Sequence, residues 1–243
     1  MQFVLSAFPK LPQALFCYPR LYSFPRKPDP AGDTFVLLDS GAYGLSRRGV
    51  VMGKTWQRRL AEHYSTYCSE RVLGIAPDVY LDPKQSVQNF RNWHRGGTNP
   101  PVIPVLHSTR AKYYDLYSMA QQVAFYATQP LPRLYGRPVI AIGNPNLRAS
   151  ECRAVLPHLR RIILGALPDA WIHVLGAGWD VEDITLWRKS GCADSIDSIA
   201  YYEDAKAGSI WSPIQMPLDA LTGWRAIAAH NATLAVKLAK DEV

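Results

Sequence analysis

Asp39, Asp78, His107, Gly143 with Asn144, Gly176 with Gly178, and Asp197 each stand at, or close to, the end of a short apolar run. If those runs are the strands of a parallel barrel, all these positions gather at one rim, where such folds build their active sites from strand ends. Carboxylates, an imidazole and flexible glycine backbone would then converge on one mouth. Each member has a duller reading. An Asp after a strand is commonly a helix N-cap or turn former, a lone His is commonly structural, and Gly176-Ala177-Gly178 is too short to be a phosphate-binding fingerprint. The case rests on the ensemble.

The elements that would position these groups follow from periodicity. Runs with strand character are Gln2 to Ser6, Thr34 to Leu38, Arg71 to Ala76, Val102 to Leu106, Pro138 to Ile142, Trp171 to Leu175 and Ser195 to Ala200, bounded by Gly, Pro or Asp. Helical spacing is predicted over Thr55 to Glu70, Gln85 to Arg95, Tyr113 to Thr128, Ala149 to Leu164, Val181 to Lys189 and Leu218 to Lys240. Trp56, Leu60, His63, Tyr64 and Tyr67, and later Leu221, Trp224, Ile227, Ala228, Leu234 and Leu238, form stripes that read as core faces. This alternation predicts an α/β chain folded as one (β/α)8 TIM-type barrel over residues 1–243, irregular in detail, ahead of an open doubly wound sheet. Seven runs leave one strand to be found. The Pro-rich stretch Pro19 to Pro30 reads as a long loop.

The chain has 243 residues, 48% of them hydrophobic and 19% charged. That is ample for one large core and excludes a disordered chain. Lys plus Arg number 27 against 20 Asp plus Glu, for a formal charge of +7 and a pI near 9.3, which favours an anionic partner. Cys17, Cys68, Cys152 and Cys192 are scattered singly, without the close pairs of a zinc or redox motif, so no metal and no cofactor are expected. No secretory signal and no apolar run of membrane-spanning length is read, so the expectation is a reducing, cytoplasmic compartment and no membrane partner.

Leu38-Asp39-Ser40-Gly41-Ala42-Tyr43-Gly44 resembles the Asp-Ser-Gly-Gly-aromatic motif of the tRNA-guanine transglycosylases. The resemblance implies that Asp39 is the acid/base group and that Tyr43 stacks on the base. His173-Val174-Leu175-Gly176-Ala177-Gly178, a helix, and Gly191 to Ser198 resemble the family's final third, which makes Asp197 the nucleophile. Ile75-Ala76-Pro77-Asp78 lies where the family places an Asp that reads the guanine edge, with Asp82 as rival. Ala141-Ile142-Gly143-Asn144 resembles its Ile-Gly-Gly turn, and Lys206 matches a basic segment. Arg47 and Arg48 follow the first motif and are read, with Lys206, as nucleic-acid contacts; the neighbouring cluster Lys54, Arg58 and Arg59 is by default a solvated helix face.

The sequence also departs from that family. Its Cys-x-Cys-x-x-Cys plus His zinc site is absent, and His107-Ser108 stands where the family has Gln-Gly-Gly. Such losses resemble the compact relatives that insert 7-deazaguanines into phage or bacterial DNA. The implied function is replacement of guanine in a nucleic acid, DNA favoured over tRNA, by a base such as 7-cyano-7-deazaguanine through an aspartyl-sugar intermediate. Two alternatives stay open: a hydrolase using the same carboxylates with water as acceptor, and a non-catalytic nucleic-acid-binding partner subunit. Oligomeric state is left open.

Overall fold

The structure is a computed structural model that describes residues 1–6, 17–29, 34–46, 48, 50, 53–95, 97–211 and 223–242. Its strands are β1 (Gln2–Ser6), β2 (Arg20–Ser23), β3 (Val36–Asp39), β4 (Val72–Ile75), β5 (Val102–Ile103), β6 (Val105–Leu106), β7 (Arg133–Leu134), β8 (Arg137–Gly143), β9 (Trp171–Leu175) and β10 (Ser195–Ser198). Its helices are α1 (Ala42–Ser46), α2 (Lys54–Tyr67), α3 (Pro83–His94), α4 (Leu116–Tyr126), α5 (Ala149–Cys152), α6 (Leu156–Ala166), α7 (Val181–Ser190), α8 (Ala200–Lys206) and α9 (Trp224–Lys240). The parallel strands run β5-β4-β3-β2-β1-β10-β9-β8-β6, and β7 adds a short antiparallel hairpin to β8. Helices surround this nearly closed barrel, an irregular (β/α)8 arrangement.

The sheet closes through a strand that Pro104 divides. Proline lacks an N–H, so the run Val102 to Leu106 pairs as two pieces. The Ile103 carbonyl accepts the Ala76 N–H at 2.9 Å and the Pro104 carbonyl accepts the Ala141 N–H at 2.9 Å. Hydrogen bonding therefore passes from β4 on one side to β8 on the other.

The missing strand lies inside the stretch expected to be a loop. β2 is only four residues long, begins with Arg20 and sits between Pro19 and Pro25, so its alternation is too brief to register as a strand in sequence. Its neighbours make it one: Leu5 and Ser6 of β1 pair with Arg20 and Leu21, and all four residues pair with Val36 to Asp39 of β3. A second correction concerns the helix expected over Ala149 to Leu164. It breaks into α5 and α6, because Pro157 is accommodated only in the first turn of a new helix.

Alternation along the strands sorts the core into two parts. Val4, Leu21, Phe35, Leu37, Leu73, Ile75, Ile103, Val105, Val139, Ala141 and Trp171 fill the barrel interior. Phe3, Leu5, Tyr22, Val36, Leu38, Ile140, Ile172 and Ile196 point outward against the helices. No helix among the described residues is long and apolar enough to cross a membrane.

Candidate active site

Above the apolar layers of the barrel the inward-facing residues turn polar, and there a cavity of about 480 Å³ opens. Ser23, Asp39, Tyr43, Asp78, Tyr80, His107, Gly143, Asn144, Leu175, Gly176, Trp179, Asp197 and Ser198 are among its lining residues. Eight positions singled out from sequence thus share one mouth: Asp39, Tyr43, Asp78, His107, Gly143, Asn144, Gly176 and Asp197. A larger cavity lies among residues such as Gln129, Arg133, Tyr135, Arg137 and Asp169, at the opposite end of the barrel, and includes none of these groups.

Asp82, Asp115 and Asp180 cap helices, accepting the N–H groups of Gln85, Ser118 and Asp183 at 2.9, 3.1 and 2.8 Å. Asp82, the rival base reader, is therefore engaged in starting α3. Asp39 and Asp197 are each followed by a serine that accepts a backbone N–H two residues on. Ser40 Oγ accepts the Ala42 N–H at 3.3 Å and Ser198 Oγ accepts the Ala200 N–H at 3.0 Å; α8 has Ile199 at its N-cap, so Asp197 does not cap it, while Asp39 accepts the Gly41 N–H just ahead of α1.

Asp39 ends β3. The Ser23 hydroxyl on the adjacent strand donates to its Oδ2 at 3.0 Å. Burial, followed by the negative charge of Asp78, pushes its carboxyl up to about 6; the Ser23 and Gly41 hydrogen bonds oppose that rise and Asp197 adds to it. A carboxyl so placed exchanges a proton close to neutrality.

Asp78 meets His107 at the mouth, with Oδ2 2.8 Å from the imidazole Nε2, while the Ser40 hydroxyl lies 3.4 Å from Oδ1. His107 is 2% exposed and its backbone is clamped by α4: Gln122 Oε1 accepts its N–H at 3.0 Å and Gln122 Nε2 donates to its carbonyl at 2.8 Å. Gly143 is the neighbour that admits the ring, since a Cβ there would lie 2.6 Å from His107 Cε1 and 2.7 Å from Nδ1. Tyr43 is 50% exposed and meets Tyr80 edge-on at 5.2 Å. Tyr80 in turn stands perpendicular to the His107 ring at 6.4 Å.

On the far wall Asp197 Oδ1 accepts the Gly176 N–H at 3.0 Å. The loop that presents Gly176 is fixed by two side chains. Buried Asp183 accepts the N–H groups of Gly178, Trp179 and Ala149 at 3.0, 3.1 and 2.6 Å. Asn144, expected from sequence to contact substrate, directs its amide to the carbonyl of Leu147 at 2.9 Å and of Gly176 at 3.3 Å, and accepts the Leu147 N–H at 2.9 Å. It ties together the loops after β8 and β9 beneath the mouth.

The basic residues are dispersed. Arg48 is exposed and donates through Nε to the Gly44 carbonyl at 3.0 Å. Lys206 at the end of α8 pairs with Glu203 at 3.2 Å and lies 5.2 Å from the Tyr202 ring, and it is not among the residues lining the cavity. Arg47 lies outside the described residues. Sequence reading missed Ser23, Tyr80, Trp179, Asp183 and the buried His173, which look like ordinary strand, turn or helix residues until they meet partners distant in the chain. Among the described residues no three His, Cys, Asp or Glu side chains group as a metal would require. No protein-family model and no curated protein matches this sequence, so any functional reading stands on this geometry and on the motifs.

Proposed function

We propose that the chain is a base-exchange transglycosylase that replaces guanine in a nucleic acid, DNA in preference to tRNA, with a 7-deazaguanine such as 7-cyano-7-deazaguanine. The observation that carries this reading is the opening of Asp39 and Asp197 into one cavity of purine-accommodating size, with the Asp39 carboxyl lifted to about 6.

In the first step Asp197 attacks C1′ of the target nucleotide as the C1′–N bond breaks. The bond's electron pair leaves with guanine, which takes the proton of neutral Asp39. Positive charge developing on the sugar is met by the carboxylate before it bonds. In the second step ionised Asp39 removes a proton from the incoming base, whose nitrogen attacks C1′ and releases Asp197. Asp78 would accept the N1 and exocyclic amino hydrogens that distinguish guanine-like bases. Tyr43 and Tyr80 supply aromatic surface for a base drawn out of its stack.

Arginine and aromatic side chains at the same end of the barrel fit a nucleic-acid strand. Arg110 lies 4.3 Å from the Tyr113 ring and Arg148 lies 5.4 Å from the Trp179 ring, in loops that follow β6, β8 and β9. The net charge of +7 points the same way.

The test is incubation of the purified protein with guanine-containing single-stranded DNA, duplex DNA or a tRNA, plus 7-cyano-7-deazaguanine, followed by mass spectrometry of the released nucleosides. The modified nucleoside is expected, most abundantly from DNA. Guanine release without incorporation would replace the proposal with a hydrolase, and no change in any nucleic acid would replace it with a binding subunit.

A further inference from the structure

His173 belongs to none of the polar strand-end positions, yet it is the side chain that meets Asp197 from inside the barrel. It is 1% exposed. Its Nε2 lies 3.3 Å from Asp197 Oδ1, and its Nδ1 lies 2.9 Å from the hydroxyl of Ser195, the residue paired with it across β9 and β10. Ser195, also fully buried, receives the Trp171 indole N–H at 2.8 Å.

These contacts select one tautomer. Indole nitrogen only donates, so Trp171 occupies one Ser195 lone pair and leaves the hydroxyl hydrogen to be given away. His173 Nδ1 is the acceptor within reach, which puts the ring proton on Nε2, facing Asp197. The other neutral tautomer would strand the Ser195 hydrogen and set an Nε2 lone pair against a carboxylate. His173 Nε2 has no aligned hydrogen-bond partner among the described residues, so Asp197 is the acceptor toward which this buried N–H is drawn. Both contacts to Asp197, from His173 and from the Gly176 N–H, fall on Oδ1.

We infer that His173, oriented by Ser195 and Trp171, is the positioning residue of Asp197: it anchors Oδ1 and leaves Oδ2 to act as the attacking atom. The inference rests on the proposed role of Asp197 as nucleophile, and its test has one arm that does not. In the first arm, histidine-labelled protein is studied by ¹⁵N NMR, with the His173 signal assigned by its loss in His173→Gln. Wild-type His173 is expected as the Nε2–H tautomer, the preference weakening in Ser195→Ala and the Nε2 proton moving upfield in Asp197→Asn. An Nδ1–H tautomer, or a signal indifferent to both substitutions, overturns the inference whatever the protein catalyses.

The second arm measures single-turnover formation of the covalent adduct with a guanine-containing single-stranded DNA oligonucleotide. His173→Leu is expected to slow adduct formation about tenfold or more, the scale of one lost hydrogen bond to a charged group, with oligonucleotide Kd nearly unchanged. His173→Gln, which retains an N–H donor, should recover part of the rate. Ser195→Ala, with the imidazole in place, should lose part of it and serves if His173→Leu does not fold. Undiminished rates in both His173→Leu and Ser195→Ala, or a loss in Kd alone, overturn the inference. If wild-type protein forms no adduct, the proposed function falls while the NMR arm still decides whether His173 anchors Asp197.

Discussion

His107 Nε2 and Asp78 Oδ2 stand 2.8 Å apart at the mouth of the barrel, with the ring pressed against the bare Cα of Gly143. A methyl group at Gly143 would have to displace the ring, whose backbone Gln122 holds in place. Gly143→Ala is therefore expected to reproduce the effect of His107→Ala: a lower melting temperature and weaker binding of 7-cyano-7-deazaguanine by calorimetry. Overpacking of this kind costs about 1–3 kcal/mol. A Gly143→Ala protein with wild-type stability and affinity would mean that the contact carries nothing.

Asp39 makes stability depend on pH in a defined direction. Burial and the Asp78 charge raise its carboxyl from 3.8 to about 6 in the folded chain, so the folded state holds a proton that the unfolded state releases. The stability this confers is present in full below about pH 4 and is lost as pH rises through about 6. Asp39→Asn, which cannot ionise, should gain melting temperature relative to wild type between those two pH values. A constant difference across that window would show that Asp39 titrates normally.

If Asp197 is the nucleophile, as proposed, Asp197→Asn removes the attacking electron pair while keeping an oxygen for the Gly176 N–H. It is expected to keep the fold and base affinity, abolish exchange and form no denaturation-resistant adduct, and wild type without incoming base is expected to accumulate one. Near wild-type exchange would remove Asp197 from the mechanism. Asp194 is a poor substitute, since Arg137 at 2.9 Å and the Ile172 N–H at 3.0 Å hold its carboxylate at the other end of the strand.

Tyr64 joins the strands that carry the mouth. Its hydroxyl lies 2.7 Å from the Leu38 carbonyl and 2.8 Å from that of Ile75, and a Cβ at Gly74 would lie 2.6 Å from its ring. Because the hydroxyl anchors the ring, Gly74→Ala should destabilise by about 1–3 kcal/mol and Tyr64→Phe by about 1 kcal/mol. Denaturant unfolding at constant m checks both, and additive effects in the double variant would mean that ring and glycine are not coupled.

Asp183 places a buried carboxylate under three backbone N–H groups. Asp183→Asn can turn an NH2 toward donors and weakens the remaining bonds, so a loss of about 2 kcal/mol is expected. Hydrogen exchange should quicken at Gly178 and Trp179 before the rest of the barrel. Unchanged protection there would leave Asp183 without a role in the loop.

The sequence by itself determined the barrel and most of its mouth. Apolar runs ended by Asp39, Asp78, His107, Gly143 and Asp197 are local patterns, and parallel strands joined by right-handed crossovers bring every such end to one rim. Tertiary structure decided the rest. β2 is a strand because β1 and β3 flank it, since four residues led by Arg20 carry too little alternation of their own. Lys206 shares a chain segment with Asp197 yet is not among the residues lining the cavity and pairs with Glu203 within α8. His173 and Ser195 read as two core positions of two separate strands until the register of β9 against β10 sets them side by side. Alternation along a strand says which residues face inward; only the pairing of strands distant in sequence says which of those inward residues meet, and on that meeting the surroundings of Asp197 depend.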